Sequence, residues 1–166
     1  MTRYVGLDLS TKSGIVILDA QGDILHQDEV KKTIKESPAA LDALISDVTT
    51  RIRVDDIVVM EGFGYASKTG FLLGGIGWGV RVELWKKSIP YYLVAPTALK
   101  KFATGSGVAD KRKLAVAVNK KWGFFHDSDN VTDAYVLAQI ARAIDGREKT
   151  TKVQQKVLEK VEVIKQ

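Results

Sequence analysis

Tyr4-Val-Gly-Leu-Asp8-Leu-Ser10-Thr-Lys-Ser-Gly14-Ile-Val-Ile-Leu18 decides how this chain is read. An apolar run that ends on a carboxylate reads as a buried strand with an acid at its tip. Lys12-Ser-Gly14 supplies a tight turn, and Gly14–Leu18 returns as a second strand. Ala20-Gln-Gly-Asp23 turns the chain again into a third, Ile24–Val30. Connections this short join antiparallel neighbours, so the domain opens as a meander.

Outward from it, strands begin to alternate with helices. Ser37-Pro38 offers an N-cap and an N1 proline, and Leu41, Leu44, Ile45, Val48 and Ile52 follow at helical spacing. Asp56–Met60 reads as a short central strand, the span from Ser67 to Lys87 as a glycine-bearing helix, and Tyr91–Val94 as another strand. Next come a short helix over Thr97–Phe102, a glycine-bearing loop (Thr104-Gly-Ser-Gly107) and a basic helix over Asp110–Trp122. A last long helix runs from Asp129 to Ile144. The pattern predicts an α/β fold, a mixed sheet flanked by helices, over residues 1–146. In the tail, 147–166, Val153, Val157, Val161 and Ile164 are spaced as one helical stripe. That spacing predicts either an extra amphipathic helix or a partly ordered arm.

Composition narrows the chemistry. A chain of 166 residues, 45% hydrophobic and 27% charged, is one ordinary globular domain. No cysteine means no disulfide and no thiolate zinc site, and two histidines, His26 and His126, leave little for a His-rich one. Thr69 to Val82, the longest near-apolar stretch, is too short to span a bilayer. With a strand pattern starting at the N-terminus, the expectation is a cytoplasmic protein without membrane contact. From Leu99 to Lys121, seven cations (Lys100, Lys101, Lys111, Arg112, Lys113, Lys120 and Lys121) face one acid, Asp110, in a chain whose net charge is only +5. A concentrated basic segment is the footprint of a polyanion.

Two further acids join Asp8. Glu61 closes Ile57-Val-Val-Met, and in a neighbouring strand it repels Asp8 unless a cation lies between them. In Asp129-Asn-Val-Thr-Asp133 two aspartates four residues apart share one helix face. Capping and the helix dipole account for Asp129 but not for Asp133, one turn deeper beside Ala-Tyr-Val-Leu-Ala. His126, just upstream, is either a loop residue or a proton shuttle. Carboxylates are rarely buried unless paired or bound to a cation, and an all-oxygen set suits Mg²⁺. Two ions about 3.5–4 Å apart would activate water and neutralise the leaving oxygen in phosphodiester hydrolysis. Basic side chains would grip the remaining phosphates, and Phe63 and Tyr65 could stack on unpaired bases.

The ordered set resembles the RuvC-type Holliday junction resolvases over nearly the whole chain to Gly146. Leu72-Leu-Gly-Gly-Ile-Gly-Trp-Gly-Val80 belongs to the likeness. More specific is Ala95-Pro-Thr-Ala-Leu-Lys-Lys-Phe-Ala-Thr-Gly-Ser-Gly-Val-Ala-Asp-Lys111, similar to the family's Pro-x-x-Val-Lys-x-x-x-x-Gly-x-Gly-x-Ala-x-Lys. The resemblance implies a ribonuclease H-like fold with a mixed five-stranded sheet. It also implies two Mg²⁺ or Mn²⁺ ions per site, and a homodimer that cuts four-way DNA junctions in a bacterial or phage-infected cell. Asp8, Glu61 and Asp133 match the family's acids. The family's other helix acid falls on Asn130, so the fourth ligand is either Asp129 or Asn130. Lys100 and Lys111 fall on the family's basic positions near the scissile phosphate, with Lys101, Arg112 and Lys113 extending the DNA contact. Phe63 and Tyr65 follow the glutamate where the family carries its junction-wedging aromatic.

Gly70, Gly74 and Gly77 share one helix face nearly bare of side chains, which predicts a dimer interface with Leu73 and Trp78 alongside. Two other readings remain. The segment Gly6-x-Asp8-x-Ser10-x-x-x-Gly14 also resembles the first phosphate loop of actin-like phosphotransferases, a fold of two duplicated halves for which 166 residues provide one. A junction-binding module without catalysis would follow if Asn130 breaks the metal site, and within nucleases a broader flap or branch specificity stays open.

Overall fold

Three strands form the opening meander: β1 (Tyr4–Asp8), β2 (Lys12–Leu18) and β3 (Ile24–Lys31). The turn after β2 uses Gly22 at φ +94°, and Asp19 Oδ1 accepts the backbone N–H groups of Gln21, Gly22 and Asp23, each at 2.9 Å. These coordinates are a computed structural model that describes residues 1–35, 37–62 and 70–165.

The chain continues through α1 (Pro38–Thr49), β4 (Ile57–Glu61), α2 (Gly70–Lys86), β5 (Tyr91–Val94), α3 (Pro96–Thr104), α4 (Lys111–Trp122) and α5 (Asp129–Ile144). Ser37 caps α1 as its position before Pro38 predicts, accepting from Ala40 N. Asp56 lies outside β4. Its buried carboxylate holds the Arg3 guanidinium in a bidentate pair at 2.8 and 2.6 Å, beside the start of β1.

The mixed sheet has six strands rather than five, in the order β3-β2-β1-β4-β5-β6. The sixth comes from the tail. There the helical stripe stops early: α6 (Lys152–Leu158) is closed at its start by a Thr151–Gln154 capping box. The chain then extends as β6 (Glu162–Ile164), antiparallel to β5. Val161 and Ile164 therefore do not continue the helix. β-Branched residues pair on an edge that β5 would otherwise present to solvent.

Helices cover both faces. Leu44, Ile45 and Val48 of α1 and Ile76, Val80 and Leu84 of α2 pack with Val5, Leu7, Val58 and Met60 on one side. Buried side chains of α3, α4, α5 and α6 pack with Tyr4, Val16, Leu18 and Val59 on the other. Gly79 is where α2 meets α1, since a Cβ there would strike Ile45. Gly77 is buried on the inward face while Gly74 meets open space, so the predicted glycines do not share one free face. The exposed stripe of α2 is Phe71, Trp78, Val82 and Trp85, and Gly74 and Gly75 face open space.

Candidate active site

The sheet registers Leu7 against Met60 in parallel neighbours, so Asp8 and Glu61 end adjacent strands at the same edge. Two glycines bring the helix to them. A Cβ on Gly6 would run into the Ala134 carbonyl, and one on Gly14 into the Asn130 carbonyl. Gly14 is also the cross-strand partner of Asp8. α5 therefore lies directly on the backbone of β1 and β2, and its first turns reach the tip of β1. This contact sets Asp133 against Asp8 and Glu61.

Each of the three carboxylates is partly buried, and among the described residues none accepts a hydrogen bond. Burial raises Asp8 to about 8, reinforced by the Asp133 and Glu61 charges and opposed by Lys111. Glu61 is raised to about 7 by burial and then Asp133, with Lys100 opposing. Asp133 is raised to about 6, again chiefly by burial; Lys111 and Lys100 draw it down and Asp129 pushes it up. Among the described residues no group of three or more acids or imidazoles is arranged, as it stands, to hold a metal ion. The acids are coupled through their fields. Carboxylate oxygens that are buried and, among the described residues, unpaired are hard donors, and a divalent cation would supply the counter-charge that burial denies them.

Asp129 and Asn130 have separate roles. Lys111 Nζ donates to Asp129 Oδ2 at 2.8 Å, an exposed pair within reach of the Asp133 field. Asn130 Nδ2 donates to Glu29 Oε1 on β3 at 3.1 Å. Ser128, the N-cap of α5, donates to the same oxygen. The Lys31 ammonium, and after it the Ser128 and Asn130 bonds, hold Glu29 down to about 2. Asn130 is thus tied to the sheet, and of the two candidates for fourth ligand Asp129 is the one whose charge reaches Asp133.

Among the remaining predicted residues, Lys100 and Lys111 both act on the acids, whereas Lys101, Arg112 and Lys113 are exposed on α3 and α4. Phe63 and Tyr65 lie outside the described residues. His126 is a loop residue: Nδ1 accepts from Ser128 N at 2.9 Å and its ring stacks on Phe124. Glu29 was not legible as a site residue, since on an alternating edge strand it looks like any solvated acid. Its one signal is a serine cap elsewhere that needs an acceptor.

No protein-family model matches the chain, and no curated protein does. Among solved structures, the chain is similar to Thermus thermophilus RuvC, at 23% identity and a TM-score of 0.67 over 90% of this chain and 99% of that one. It is also similar to T. thermophilus RuvC in complex with Holliday junction substrate, at 22% identity and a TM-score of 0.66 over 91% of this chain and all of that one (100%). Likeness at that identity speaks for architecture: this chain has the RuvC-like, ribonuclease H-type fold.

Proposed function

We propose that the protein is a divalent-metal-dependent endonuclease that cleaves branched DNA, four-way junctions above all, as a homodimer. The observation that carries this reading is the set Asp8, Glu61 and Asp133. Three elements deliver three desolvated carboxylates to one sheet edge, with Lys100 and Lys111 as the cations acting on them. A structural acid cluster would be hydrogen-bonded or ion-paired, and among the described residues this one is neither.

Asp8, Glu61, Asp133 and Asp129 would hold Mg²⁺ or Mn²⁺, two ions in the fully loaded site. Bound there, the metal would supply an activated water and a Lewis acid for the scissile phosphate. The chain itself does the rest. Lys100 and Lys111 neutralise and orient phosphate oxygens beside the carboxylates. Arg112 and Lys113 carry the flanking backbone. Glu29, through Ser128 and Asn130, fixes the first turn of α5 and so the placement of Asp129 and Asp133.

The dimer reading rests on α2. Phe71, Trp78 and Trp85 recur every seven residues and are 98%, 61% and 63% exposed. Large aromatics in register on a free helix face are costly in water and fit a symmetric partner. Two sites related by a two-fold axis suit a substrate with two-fold symmetry.

A second reading is favoured by one contact. Lys111 already neutralises Asp129, which suits a protein that binds junctions without cutting them. A synthetic four-way junction incubated with the protein in Mg²⁺, beside a linear duplex of the same arms, tests both. Paired nicks in the junction alone support the nuclease. Tight binding with no product in Mg²⁺ or Mn²⁺ supports the binding module.

A further inference from the structure

The tail builds a basic cleft that the catalytic arrangement does not use. Lys156 and Lys160, from α6 and the residues just after it, face Lys101 and the Gly105-Ser106-Gly107 loop across a cleft of about 680 Å³. Among the described residues, Glu159 is the one acid in its lining. Adjacent lysines of α3 thus divide their work: Lys100 acts on Glu61 and Asp133, and Lys101 lines this cleft.

The cleft is held in shape by buried contacts. Gln154, almost fully buried, donates its side-chain amide to Phe102 O at 2.9 Å, and Val157 is in the core. On the opposite wall, Thr104 Oγ1 accepts from Ser106 N at 3.0 Å and lies 2.9 Å from Lys100 O. Gly107 presses on the start of α3, where a Cβ would stand 3.1 Å from Thr97 O. Strand β6 secures the far end of the tail on β5.

A second cleft of about 620 Å³, lined by Arg112, Lys113 and Lys120, shares Ser106 and Val108 with the first. Among the described residues the two run together as one band with six cations and two acids, and one of those acids, Asp110, is engaged in capping α4. A discrete anion needs a single pocket. A continuous band of flexible cations suits a regularly charged chain.

We infer that the C-terminal segment completes a DNA-backbone contact surface: Lys156 and Lys160, with Lys101, take phosphates of one arm of a branched substrate beyond the catalytic centre. This rests on the branched-DNA reading and adds to it a binding role for the tail. The test measures affinity of the full-length protein for a synthetic four-way junction across a salt series without divalent metal. The variants are Lys156→Ala/Lys160→Ala and, as a control of equal charge, Lys32→Ala/Arg53→Ala on the α1 side.

Each phosphate contact removed should lower the slope of log affinity against log salt by about 0.9. The tail variant is expected to lose about 1.8 from the slope and to weaken about tenfold, with the control unchanged. An unchanged slope, or an equal loss in the control, overturns the inference. So does a tail variant that loses binding to polyglutamate while keeping the junction, which would assign the cleft to an acidic polypeptide. A parent protein that binds junctions but cuts none defeats only the nuclease reading and leaves the slopes to be compared. A parent that binds no DNA defeats both.

Discussion

Lys111 Nζ donates to Asp129 Oδ2 at 2.8 Å, so the most exposed acid of the site already carries a cation, while Asn130 beside it is bonded to Glu29. Asp129 is therefore the candidate fourth ligand. Asp129→Asn should slow junction cleavage by about 10²-fold or more, the equivalent of about 2.7 kcal/mol of barrier. Asn130→Ala should change the rate by less than about fivefold, because it acts on the metal only through helix placement. Single-turnover rates in saturating Mg²⁺ measure both, and the reverse ranking would put Asn130 in the ligand set.

Asp8→Asn, Glu61→Gln and Asp133→Asn should each abolish cleavage and leave junction binding within a few-fold. Each removes a metal-binding charge and leaves the basic surface intact. Gel-shift affinity measured beside cleavage separates the two effects. Near-normal turnover in any one variant removes that residue from the site.

The same acids set a pH dependence of stability in the metal-free protein. Their folded-state values, about 8, 7 and 6, lie above the ordinary carboxylate range. Their contribution is therefore fully present below that range and is lost as pH rises through the folded values. Between pH 6.5 and 8.5 the loss should be on the order of 2 kcal/mol, a fall in Tm of roughly 5 °C. Asp8→Asn should flatten the slope and raise Tm at pH 8.5, and Mg²⁺ should flatten it for the parent. Thermal melts with and without chelator decide this; a Tm that rises across that window contradicts it.

Gly6 and Gly14 let α5 touch the sheet. Gly6→Ala places a methyl against the Ala134 carbonyl, which must move the helix. Overpacking against rigid backbone should cost about 3 kcal/mol, seen as a lower denaturation midpoint, with cleavage lost even under native conditions. Gly75→Ala, whose Cβ meets open space, is the matched control and should be neutral or slightly stabilising in the monomer.

Phe71→Glu/Trp78→Glu should leave a folded monomer that nicks junctions singly. Sedimentation at tens of micromolar, roughly the range in which a modest interface is populated, reads the mass. A parent protein that is monomeric with and without junction DNA removes α2 as the interface.

Most of the fold was legible because its determinants are local. The apolar runs ending at Asp8 and Glu61, the turn at Gly22, and Pro38 at the start of α1 each fix an element within a few residues, whereas Lys12-Ser-Gly14, read as a turn, already belongs to strand β2. What was not legible depends on partners distant in sequence. Val161 and Ile164 fit a helical stripe, but the helix stops at Leu158, and only the open edge of β5 makes Ile164 a strand residue. Gly77 fits a bare helix face until α2 is placed on the sheet, which turns that glycine inward. Asn130 falls, in sequence, on the position of the family's other helix acid. Glu29, 101 residues away, decides its partner.

Proton-coupled Mn²⁺ binding tests the central claim most directly. Calorimetric titration of the metal-free protein at pH 7, repeated in buffers of different ionisation enthalpy, gives both the metal stoichiometry and the protons released. If Asp8, Glu61 and Asp133 form one divalent-cation site, the parent should bind Mn²⁺ with release of protons, because raised carboxylates must deprotonate to coordinate. The Asp8→Asn/Asp133→Asn protein should bind none at the same concentrations. Equal Mn²⁺ binding by parent and double variant, or binding with no proton release, would contradict the account.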